Sequence, residues 1–381
     1  MFRCFDFPTS LQACYAAMQK CVKPRKEEKR SFNHQDSVRI ERELHAHRVL
    51  ILGTPESGKS TLVKQMKIIY SHGFNKQELL SFKVQHSSVH LNDSAAVLDN
   101  LLTSLKFVLH GMGMLRINLS NKKNKCHARA VLSCECCVGP DLELLPFVAH
   151  AFCRLWGDLG FRTAVARGHE FQLNDSARYF FENISRIIAP NYIPTETDVL
   201  RVRVRTRGVV ETQIRVNNSL YRLIDVGGQR SERKKWYSYF DNVQAVLFMV
   251  ALSGYDQNLE HHSKQNRLHE SLECFSSMCN SAFFRGASLV LFMNKIDLFA
   301  EKILYSGRHL RLYQPDYKGP ERDVSCAAQY VTDQFVTCAS ASGKVVFPHF
   351  TTATERSSVQ EAFQSIISTV LKHNLHTTTL L

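Results

Sequence analysis

The eight residues from Gly53 to Ser60 read GTPESGKS and match the pattern G-x-x-x-x-G-K-[ST]. They follow the apolar run Val49–Leu52 and precede a stretch in which apolar residues recur at helical spacing. A strand, a glycine-containing loop and a helix in this order present backbone N–H groups and the positive end of the helix to an anion. The stretch therefore predicts a phosphate-binding loop, in which Lys59 supplies a point charge and Ser60 an oxygen ligand for Mg²⁺.

A second motif, Asp225-Val-Gly-Gly-Gln229, follows the apolar run Tyr221–Ile224. The end of a strand places a carboxylate beside the phosphate loop, where Asp225 is suited to hold Mg²⁺ through water. A glycine N–H can sense the terminal phosphate, and Gln229 can orient an attacking water. Because D-x-x-G alone is common at turns, this motif is informative only in combination with the phosphate loop.

A third motif, Asn294-Lys-Ile-Asp297, follows the apolar run Leu289–Met293 and addresses the base. A fixed carboxylate at Asp297 can accept hydrogen bonds from the ring N–H and the exocyclic amine of guanine, whereas adenine offers no such donor pair. A surface turn is the alternative interpretation of the tetrapeptide alone. In combination with the two motifs that precede it in the sequence, it predicts a site for GTP and GDP.

The charge of the chain is strongly positive. The 381 residues include 48 Lys and Arg against 35 Asp and Glu, a formal net charge of +13. Ten of these cations, against three acids, lie from Arg201 to Lys235, and residues 1–50 hold another ten against six. Nucleic acid, an anionic membrane and a phosphate-rich ligand can each meet such an excess. Since the larger concentration surrounds the second motif, we expect a phosphate ligand and no nucleic acid; a solvated basic face is the alternative.

No apolar run has the length of a membrane-spanning helix, since the longest, Ala245–Leu252, has eight residues. The first 30 residues lack the continuous apolar stretch of a secretory signal, because Gln12, Gln19 and Lys20 interrupt it. We therefore expect an intracellular protein whose twelve cysteines are free thiols.

Strand-length apolar runs alternate with helix-like stretches, which predicts an α/β fold with a mainly parallel sheet covered on both faces. More than a hundred residues without obvious strands separate the phosphate loop from Val209, and within them Leu98–Leu109 has helical spacing. We expect a helical domain inserted into the α/β domain. The strand-length runs are Val49–Leu52, Val209–Val216, Leu223–Ile224, Ala245–Leu252 and Leu289–Met293.

Inside the helical region, Asn118–Lys125 is polar and basic and leads into a group of cysteines. We interpret this stretch as a loop insertion. A zinc site is the sharper interpretation, but C-x7-C-x-C-C fits none of the usual ligand spacings. The cysteines are Cys126, Cys134, Cys136 and Cys137.

The last helix is the clearest single element of the sequence. Ser358 and Glu361 predict a capping box at its start. Its apolar residues at helical spacing are Val359, Phe363, Ile366, Ile367, Val370 and Leu371.

In this order, the three motifs resemble those of the regulatory GTPases, and the helical insertion narrows the resemblance to heterotrimeric G-protein α subunits. Asp198–Thr212 resembles the first switch of that family, and Asp225–Trp236 nearly repeats its second switch. The resemblance covers most of the chain. It implies a P-loop Ras-like GTPase domain, with a six-stranded, mostly parallel sheet and helices on both faces, and an inserted all-α helical domain.

The resemblance also implies four segments and a place for each. Residues 1–47 would form an N-terminal helix that meets the membrane and Gβγ, and 48–72 the first part of the GTPase domain. Residues 73–197 would form the helical domain. Residues 198–381 would form the second part of the GTPase domain, ending in a helix that faces a G-protein-coupled receptor.

Individual roles follow from the family pattern. Arg203 matches the arginine finger that the family supplies in cis, and Thr206 the threonine that completes magnesium coordination. A guanidinium at the transferring phosphoryl group can be worth about 10³ to 10⁵ in rate. Leu173–Ala177 resembles the segment that closes over the nucleotide, although an exposed helix cap is the alternative there. Thr337–Ser340 imitates the family's guanine-ring signature, but Ala353 lies at the family's spacing before the last helix.

Motifs and resemblance together give a candidate site for GTP or GDP with Mg²⁺. Its catalytic residues are Arg203 and Gln229, and its metal ligands are Ser60, Thr206 and, through water, Asp225. The nucleotide contacts are Glu56, Ser57, Gly58, Lys59, Ser60, Thr61, Asp175, Ser176, Leu200, Arg201, Val202, Arg203, Asp225, Val226, Gly227, Gly228, Gln229, Asn294, Lys295, Ile296, Asp297 and Ala353.

The N-terminus suggests attachment to the cytoplasmic face of the plasma membrane. Cys4, Cys14 and Cys21 lie among basic residues where α subunits commonly carry palmitate, with unmodified thiols as the alternative, while Phe2 excludes N-myristoylation. Arg39–His47 resembles the end of the helix that binds Gβγ.

The sequence does not assign the α subunit to one effector class. The phrases Leu247–Val250 and His349–Ala353 resemble the class of α subunits that activates Rho exchange factors, whereas Val250–Gln257 resembles other classes. The chain lacks a cysteine four residues from its end, so we expect no modification by pertussis toxin.

Pro55 departs from the family, which usually has glycine at this position. Proline fixes φ, removes one N–H from the phosphate cradle, and disfavours helical geometry at Thr54. Its ring also lies close to where Gln229 must work. We expect an effect on hydrolysis more than on GTP affinity, and keep a GTP-binding scaffold with very slow turnover as a second hypothesis. A P-loop kinase or ATPase is a third, disfavoured by Asn294–Asp297.

Overall fold

A computed structural model describes residues 46–83, 97–135, 144–206, 208–217, 219–259 and 262–378 of the chain. Several predictions concern residues outside these ranges. They are the lipidation candidates Cys4, Cys14 and Cys21, the segment Arg39–His45 before the first strand, and the cysteines Cys136 and Cys137. The side chains of Val370 and Leu371 also lie outside the description.

Six strands form one sheet in the order β2-β3-β1-β4-β7-β8. Strand β1 pairs in parallel with β3 and β4, β4 with β7, and β7 with β8, while β2 is antiparallel to β3. The predicted six-stranded, mostly parallel sheet is confirmed. The strands are β1 (His47–Gly53), β2 (Val209–Val216), β3 (Ser219–Val226), β4 (Ala245–Ala251), β7 (Ser288–Asn294) and β8 (Val346–Thr351).

Two features of the strands were not predicted from the sequence. Strand β8 lies at the sheet edge and contains Pro348 between exposed residues, so it has no continuous apolar run. A separate antiparallel pair, β5 (Asn258–Leu259) and β6 (His262–Asn266), follows β4 and is polar throughout most of its length.

Helices cover both faces of the sheet and form the region between β1 and β2. The helices before β2 are α1 (Lys59–Tyr70), α2 (Lys76–Ser81), α3 (Val97–Met114), α4 (Asn124–Ser133), α5 (Pro146–Trp156), α6 (Leu159–Ala166), α7 (Ala177–Glu182), α8 (Ile184–Ile187) and α9 (Glu196–Arg201). Those after it are α10 (Arg230–Arg233), α11 (Arg267–Cys279), α12 (Ile296–Tyr305), α13 (Val324–Ala341) and α14 (Arg356–Thr378). Short 3₁₀ helices lie at Gly168–Phe171, Trp236–Tyr239, Leu252–Gly254, Ala282–Phe284 and Leu310–Leu312.

The sheet has an apolar core on each face because successive strand residues point to opposite sides. Leu50 and Leu52 of β1 pack into the core that contains residues of α11 and α13. Val49 and Ile51 of the same strand pack into the other core, with residues of α1 and α14. This two-sided burial explains the continuous apolar runs Val49–Leu52, Ala245–Ala251 and Leu289–Met293 in the central strands.

The helical region has a core of its own. Leu101, Leu105 and Val108 of α3 are fully buried there with Phe152 of α5 and Phe161 of α6. The predicted three- and four-residue spacing on α3 therefore marks its buried face. This separate core confirms a helical domain beside the sheet domain.

One local prediction was wrong, and another holds for most of its residues. The last helix begins at Arg356, and Ser358 lies inside it, where its Oγ accepts the backbone N–H of Thr352 at 3.0 Å instead of capping the helix. The stretch interpreted as a loop insertion, Asn118–Lys125, is a loop as far as Lys123, and α4 starts at Asn124 and includes Cys126. Its apolar side packs through Val131 into the helical core, which the polar sequence before it concealed.

The described residues contain no group of three or more His, Cys, Asp or Glu that could hold a metal ion. Cys126 is exposed and Cys134 is buried as free thiols, so the described part of the cysteine group does not form a zinc site. No described helix is both long enough and apolar enough to span a bilayer.

Candidate functional site

A cavity of about 500 Å³ opens where the loops after β1, β3, β7 and β8 converge. The carboxyl ends of neighbouring parallel strands share one edge of the sheet, so four loops distant in sequence meet there. Residues 174–176 and 200–206 complete the wall. The predicted residues in this wall are Glu56, Gly58, Lys59, Ser60, Thr61, Asp175, Ser176, Leu200, Arg201, Val202, Arg203, Thr206, Gly228, Gln229, Asn294, Lys295, Asp297 and Ala353.

Lys59 begins α1 and directs its ammonium back over the phosphate loop. Its Nζ donates to the carbonyl oxygens of Gly53 at 3.0 Å and Thr54 at 2.8 Å. Burial lowers the pKa of Lys59 to about 8, and Asp225 offsets part of that effect. A buried ammonium whose partners are neutral carbonyls is stabilised further by any anion that enters the cavity.

Gly58 allows the loop to turn against the third motif. Its φ is 102°, a conformation that favours glycine. A Cβ at this position would lie 2.2 Å from Nδ2 of Asn294. The phosphate loop and the base-selecting loop are therefore in direct contact, which fixes the distance between them.

Three oxygen-bearing side chains meet at the start of α1. Ser60 Oγ donates to Oδ2 of Asp225 at 2.6 Å. Because its hydrogen is used there, Ser60 Oγ accepts a hydrogen bond from Thr206 Oγ1, which also lies 2.6 Å away. Asp225 is 2% exposed, and its Oδ1 is buried without a hydrogen-bond partner. Burial raises the pKa of Asp225, against the opposing effect of Lys59. Two hydroxyls and an unused carboxylate oxygen form a donor set that suits a hard cation such as Mg²⁺.

Arg203 is held by an acid of the phosphate loop. Its guanidinium pairs with Glu56, whose other carboxylate oxygen accepts from Nη1 of Arg267 at 2.8 Å. Burial works to raise the pKa of Glu56, but Arg267 and Arg203 outweigh it and keep that pKa below its usual value. The Arg203 side chain is 51% exposed, so it can exchange Glu56 for a ligand anion without crossing packed structure.

The backbone of Arg203 is fixed from the helical region. Its N–H donates to Oδ1 of Asn100 at 2.9 Å, and Nδ2 of Asn100 donates to its carbonyl oxygen at 3.3 Å. The neighbouring Arg201 is engaged elsewhere, with its guanidinium 4.8 Å from the ring centre of Tyr179. Among the arginines of this segment, Arg203 is thus positioned by contacts on both its backbone and its side chain.

Gln229 lies at the junction of the second motif and α10. Its backbone is extended and forms the N-cap of that helix. The preceding Gly228 lies against the phosphate loop, since a Cβ there would be 2.6 Å from Nζ of Lys59 and 2.8 Å from the oxygen of Gly53. Close packing of these backbones brings the Gln229 side chain to the cavity wall that also contains Pro55.

Asn294, at the end of β7, connects the loops that follow β1 and β8. Its Nδ2 donates to the carbonyl oxygen of Ser57 at 2.7 Å, and its Oδ1 accepts the backbone N–H of Ala353 at 3.0 Å. Asn294 is 1% exposed. Ala353 consequently lies in the cavity wall, whereas Thr337–Ser340 lies within α13.

The helical region also reaches the third motif. Nζ of Lys295 lies 2.6 Å from Oδ2 of Asp175 across the cavity. Burial opposes ionisation of Asp175, but Lys295 dominates and keeps the pKa of that carboxyl low. This ion pair joins the helical region to the third motif in the cavity wall.

The family model described as G-protein alpha subunit matches residues 23–370. This chain belongs to the G-protein α subunit family. The chain is 44% identical over 334 residues to the guanine nucleotide-binding protein G(o) subunit alpha of Geodia cydonium, covering 88% of this chain and 90% of the relative. It is 38% identical over 357 residues to the alpha-1 subunit of Neurospora crassa and to the subunit alpha of Pyricularia oryzae, with 94% of this chain and 96% of each relative covered.

Some predicted nucleotide contacts of this G-protein α subunit do not line the cavity. Four of them are buried and Ile296 packs against the core, although the carboxylate of Asp225 still reaches Ser60 of the wall. They are Ser57, Asp225, Val226, Gly227 and Ile296.

Sequence reasoning missed other wall residues of the α subunit. Lys64 lies one turn after Ser60 on α1, donates to the carbonyl of Val199 at 2.9 Å, and has its pKa lowered by burial to about 8. Its helical spacing from Ser60 was the available signal. The other missed wall residues are Asn174, Val204, Arg205, Leu298, Thr352 and Thr354.

Proposed function

We propose that this chain is a guanine nucleotide-binding α subunit of a heterotrimeric G protein, a molecular switch that hydrolyses GTP to GDP and phosphate. The observation that carries the proposal is a single cavity with the phosphate-loop Lys59 and the base-selecting Asp297 both in its wall. Signals from G-protein-coupled receptors would load GTP, and hydrolysis would end the active state.

Asp297 would recognise the base, and Asn294 fixes the loop that carries it. Asn294 fixes the loop through Ser57 and Ala353, so the carboxylate of Asp297 stands at a constant place in the cavity wall. Two acceptor oxygens meet the two N–H donors of guanine, and adenine leaves at least one of them unpaired. The backbone at Ala353 completes the pocket for the ring.

Phosphate binding rests on the loop and the start of α1. Lys59 exchanges its carbonyl partners for phosphate oxygens, which relieves the cost of its buried charge. Ser60 and Thr206 would hold Mg²⁺ directly and Asp225 through water, consistent with the unpaired Oδ1 of Asp225. When bound, Mg²⁺ neutralises negative charge on the phosphates.

Hydrolysis rests on two side chains. Gln229 would orient a water for attack on the γ-phosphorus, and Arg203 would leave Glu56 to stabilise the charge that builds on the phosphoryl oxygens. The bond formed joins the water oxygen to the γ-phosphorus, and the bond to the bridging β–γ oxygen breaks. GDP leaves with the bridging oxygen, and inorganic phosphate leaves with the water oxygen and one of its protons, while the other proton passes to solvent. The contact with Glu56 would hold the Arg203 side chain beside the phosphate loop until GTP enters.

Family membership extends the proposal to partners and location. Residues 1–47 would bind Gβγ and the inner plasma-membrane surface, with palmitate on Cys4, Cys14 or Cys21. Residues 73–197 would form the helical domain between GTPase parts 48–72 and 198–381, and α14 would face the receptor. A Rho exchange factor is the first effector to test, on the phrases Leu247–Val250 and His349–Ala353.

Pro55 supports a second candidate function, a GTP-binding scaffold with very slow turnover. It lies in the cavity wall with Gln229, where it removes one N–H donor from the loop and adds ring atoms. Single-turnover hydrolysis by wild type and Pro55→Gly, with GTP affinity measured on both, tests this hypothesis. Equal rates would remove the role of Pro55, and a changed rate at unchanged affinity would support it.

Nucleotide competition separates these two candidates from a kinase or ATPase. A fluorescent GDP analogue bound to the protein should be displaced by GDP and GTP and not by ATP at a hundredfold higher concentration, on the order expected for a lost donor pair. Asp297→Ala serves as the control that removes base selection and leaves the phosphate loop intact. Displacement of the analogue by ATP at concentrations similar to GTP would refute the guanine assignment.

A further inference from the structure

We propose that the helical region carries a docking surface for an anionic phospholipid bilayer. This surface, named the basic ridge, consists of Lys122, Lys123, Lys125 and Arg129, in the turn before α4 and along its first two turns. All four side chains are exposed, and none lines the nucleotide cavity. The ridge would add a membrane contact to the proposed switch without taking part in nucleotide chemistry.

The sequence around the basic ridge is rich in cations. From Asn100 to Cys134 the sequence contains six Lys and Arg and no Asp or Glu. Within the part of the chain that the structure describes, the ridge cations form no ion pair with an acid. The first turn of α4 contains no acidic residue, so the helix dipole adds to the mutual repulsion of the lysines. Repulsion among these cations destabilises the isolated chain, and binding to an anionic partner would relieve it.

The ridge is displayed on a rigid base. The buried carboxylate of Asp158 accepts the backbone N–H groups of Ser120 at 2.9 Å and Asn121 at 3.0 Å. It also accepts from Nδ2 of Asn124 at 2.9 Å and from the N–H of Gly160 at 2.9 Å. Burial works to raise the pKa of Asp158, but these donors outweigh it and keep the pKa low. The backbone that carries the ridge cations is therefore held in place before docking, which reduces the ordering that docking requires.

A bilayer fits this surface better than a soluble polyanion. Lys125, Arg129 and Leu132 recur at four- and three-residue spacing and so lie along one side of α4. Leu132 is 42% exposed, although the rest of that side is charged. Cations that meet lipid phosphates and an apolar side chain that enters the headgroup boundary are the combination used at membrane surfaces. Since a single acyl chain gives marginal binding, a polybasic second contact makes membrane attachment durable.

The test is co-sedimentation of the full, non-acylated chain with vesicles. One vesicle set is phosphatidylcholine alone, and the other contains roughly one third phosphatidylserine. The test variant replaces all four ridge residues with Gln. The matched control replaces four exposed cations of the sheet domain, as Arg215→Gln, Arg285→Gln, Lys318→Gln and Arg322→Gln. Leu132→Ser tests the apolar element separately, and GDP binding verifies that each variant is folded.

We expect wild type and control to bind phosphatidylserine vesicles similarly, and the ridge variant at least about tenfold more weakly. Leu132→Ser should bind with intermediate strength, and added salt should reduce the difference between wild type and ridge variant. Equal binding by the ridge variant and the control would overturn the proposal. So would tighter binding of wild type to polyglutamate than to the vesicles, because an acidic protein would then be the better partner. Since GDP binding is read independently, failure here leaves the nucleotide site untouched.

Discussion

The side-chain amide of Asn294 donates to the backbone carbonyl of Ser57 at 2.7 Å, which joins the base-selecting loop to the phosphate loop. The same side chain accepts the N–H of Ala353 at 3.0 Å. All three groups are buried, so the two ends of the nucleotide cavity are held at a fixed distance by one residue.

Asn294→Ala should accelerate GDP release by about tenfold to a hundredfold. The change leaves the carbonyl of Ser57 and the N–H of Ala353 without partners, at a cost of roughly 1–3 kcal/mol for each buried group. Dissociation of a fluorescent GDP analogue measures the effect. Thr351→Val is the control, because Thr351 Oγ1 makes only a long contact of 3.3 Å to Asn294. Release rates equal to wild type would show that the loops hold together without Asn294.

Asp175→Asn should accelerate GDP release by a smaller factor. Asp175 pairs with Lys295 across the cavity, but both side chains are partly exposed, which limits the pair to about 0.2–1 kcal/mol. We expect a release rate about two to five times that of wild type. High salt should reduce this difference. Arg178→Gln is the control, since it removes exposed pairs with Glu182 at 2.8 Å and Glu301 at 3.7 Å and does not line the cavity. An effect as large as that of Asn294→Ala would contradict the role given to each residue.

Asp198→Asn should destabilise the protein near neutral pH by about 3 kcal/mol, the low end for a broken buried pair because Arg186 is partly exposed. Burial works to raise the pKa of Asp198, but Arg186, the Thr195 N–H and two tyrosine hydroxyls lower it strongly. Its contribution is therefore fully present above the unfolded pKa of about 3.9 and is lost as pH falls through the lower folded value.

Urea unfolding of wild type and Asp198→Asn at several pH values checks this prediction. The difference in unfolding free energy should stay constant from neutral pH to about pH 5 and shrink below about pH 4. Glu182→Gln is the control, because Glu182 forms an exposed pair with Arg178 and should change stability by less than about 0.5 kcal/mol. A difference that grows toward acid pH would reverse the predicted sign.

Lys59→Met should stabilise the nucleotide-free protein while abolishing its response to nucleotide. Burial lowers the pKa of Lys59 to about 8, so the charged form is disfavoured in the folded state. The penalty is complete below pH 8 and disappears as pH rises toward the unfolded value of about 10.4.

Thermal unfolding of the nucleotide-free proteins tests this point. Wild type should gain stability from pH 8 to about pH 10 relative to Lys59→Met, and GDP should raise the Tm of wild type alone. The comparison must be a difference between variants, because buried Lys64 has the same trend with pH. A wild type less stable than Lys59→Met by the same amount at both pH values would contradict the assignment to Lys59.

The sequence predicted the sheet domain well because its signals are local. The central strands are buried on both faces and therefore contain continuous apolar runs, and each functional motif follows such a strand directly. The edge strand β8 gave no such signal, since exposed residues and Pro348 interrupt it. Ser358 satisfied the capping pattern, but its oxygen is used by a loop N–H that only the folded chain brings near.

The candidate site was predictable where residue type and position in a motif suffice. The positions of Lys59, Asp225 and Asp297 follow from that rule. The contacts that hold them do not, because Asn100 reaches Arg203 across a separation of 103 residues and Arg267 reaches Glu56 across 211. The first pairing depends on how the helical region closes on the sheet, and the second on how α11 packs beside the phosphate loop, which no local pattern encodes.

The central claim is that this α subunit hydrolyses GTP through Arg203 and Gln229. Single-turnover hydrolysis of pre-bound GTP, followed as phosphate release, tests it most directly with wild type, Arg203→Cys and Gln229→Leu side by side. We expect both variants to bind GTP as wild type does and to hydrolyse it at least about a hundredfold more slowly. A wild-type rate as low as that of both variants would contradict the claim and favour the GTP-binding scaffold.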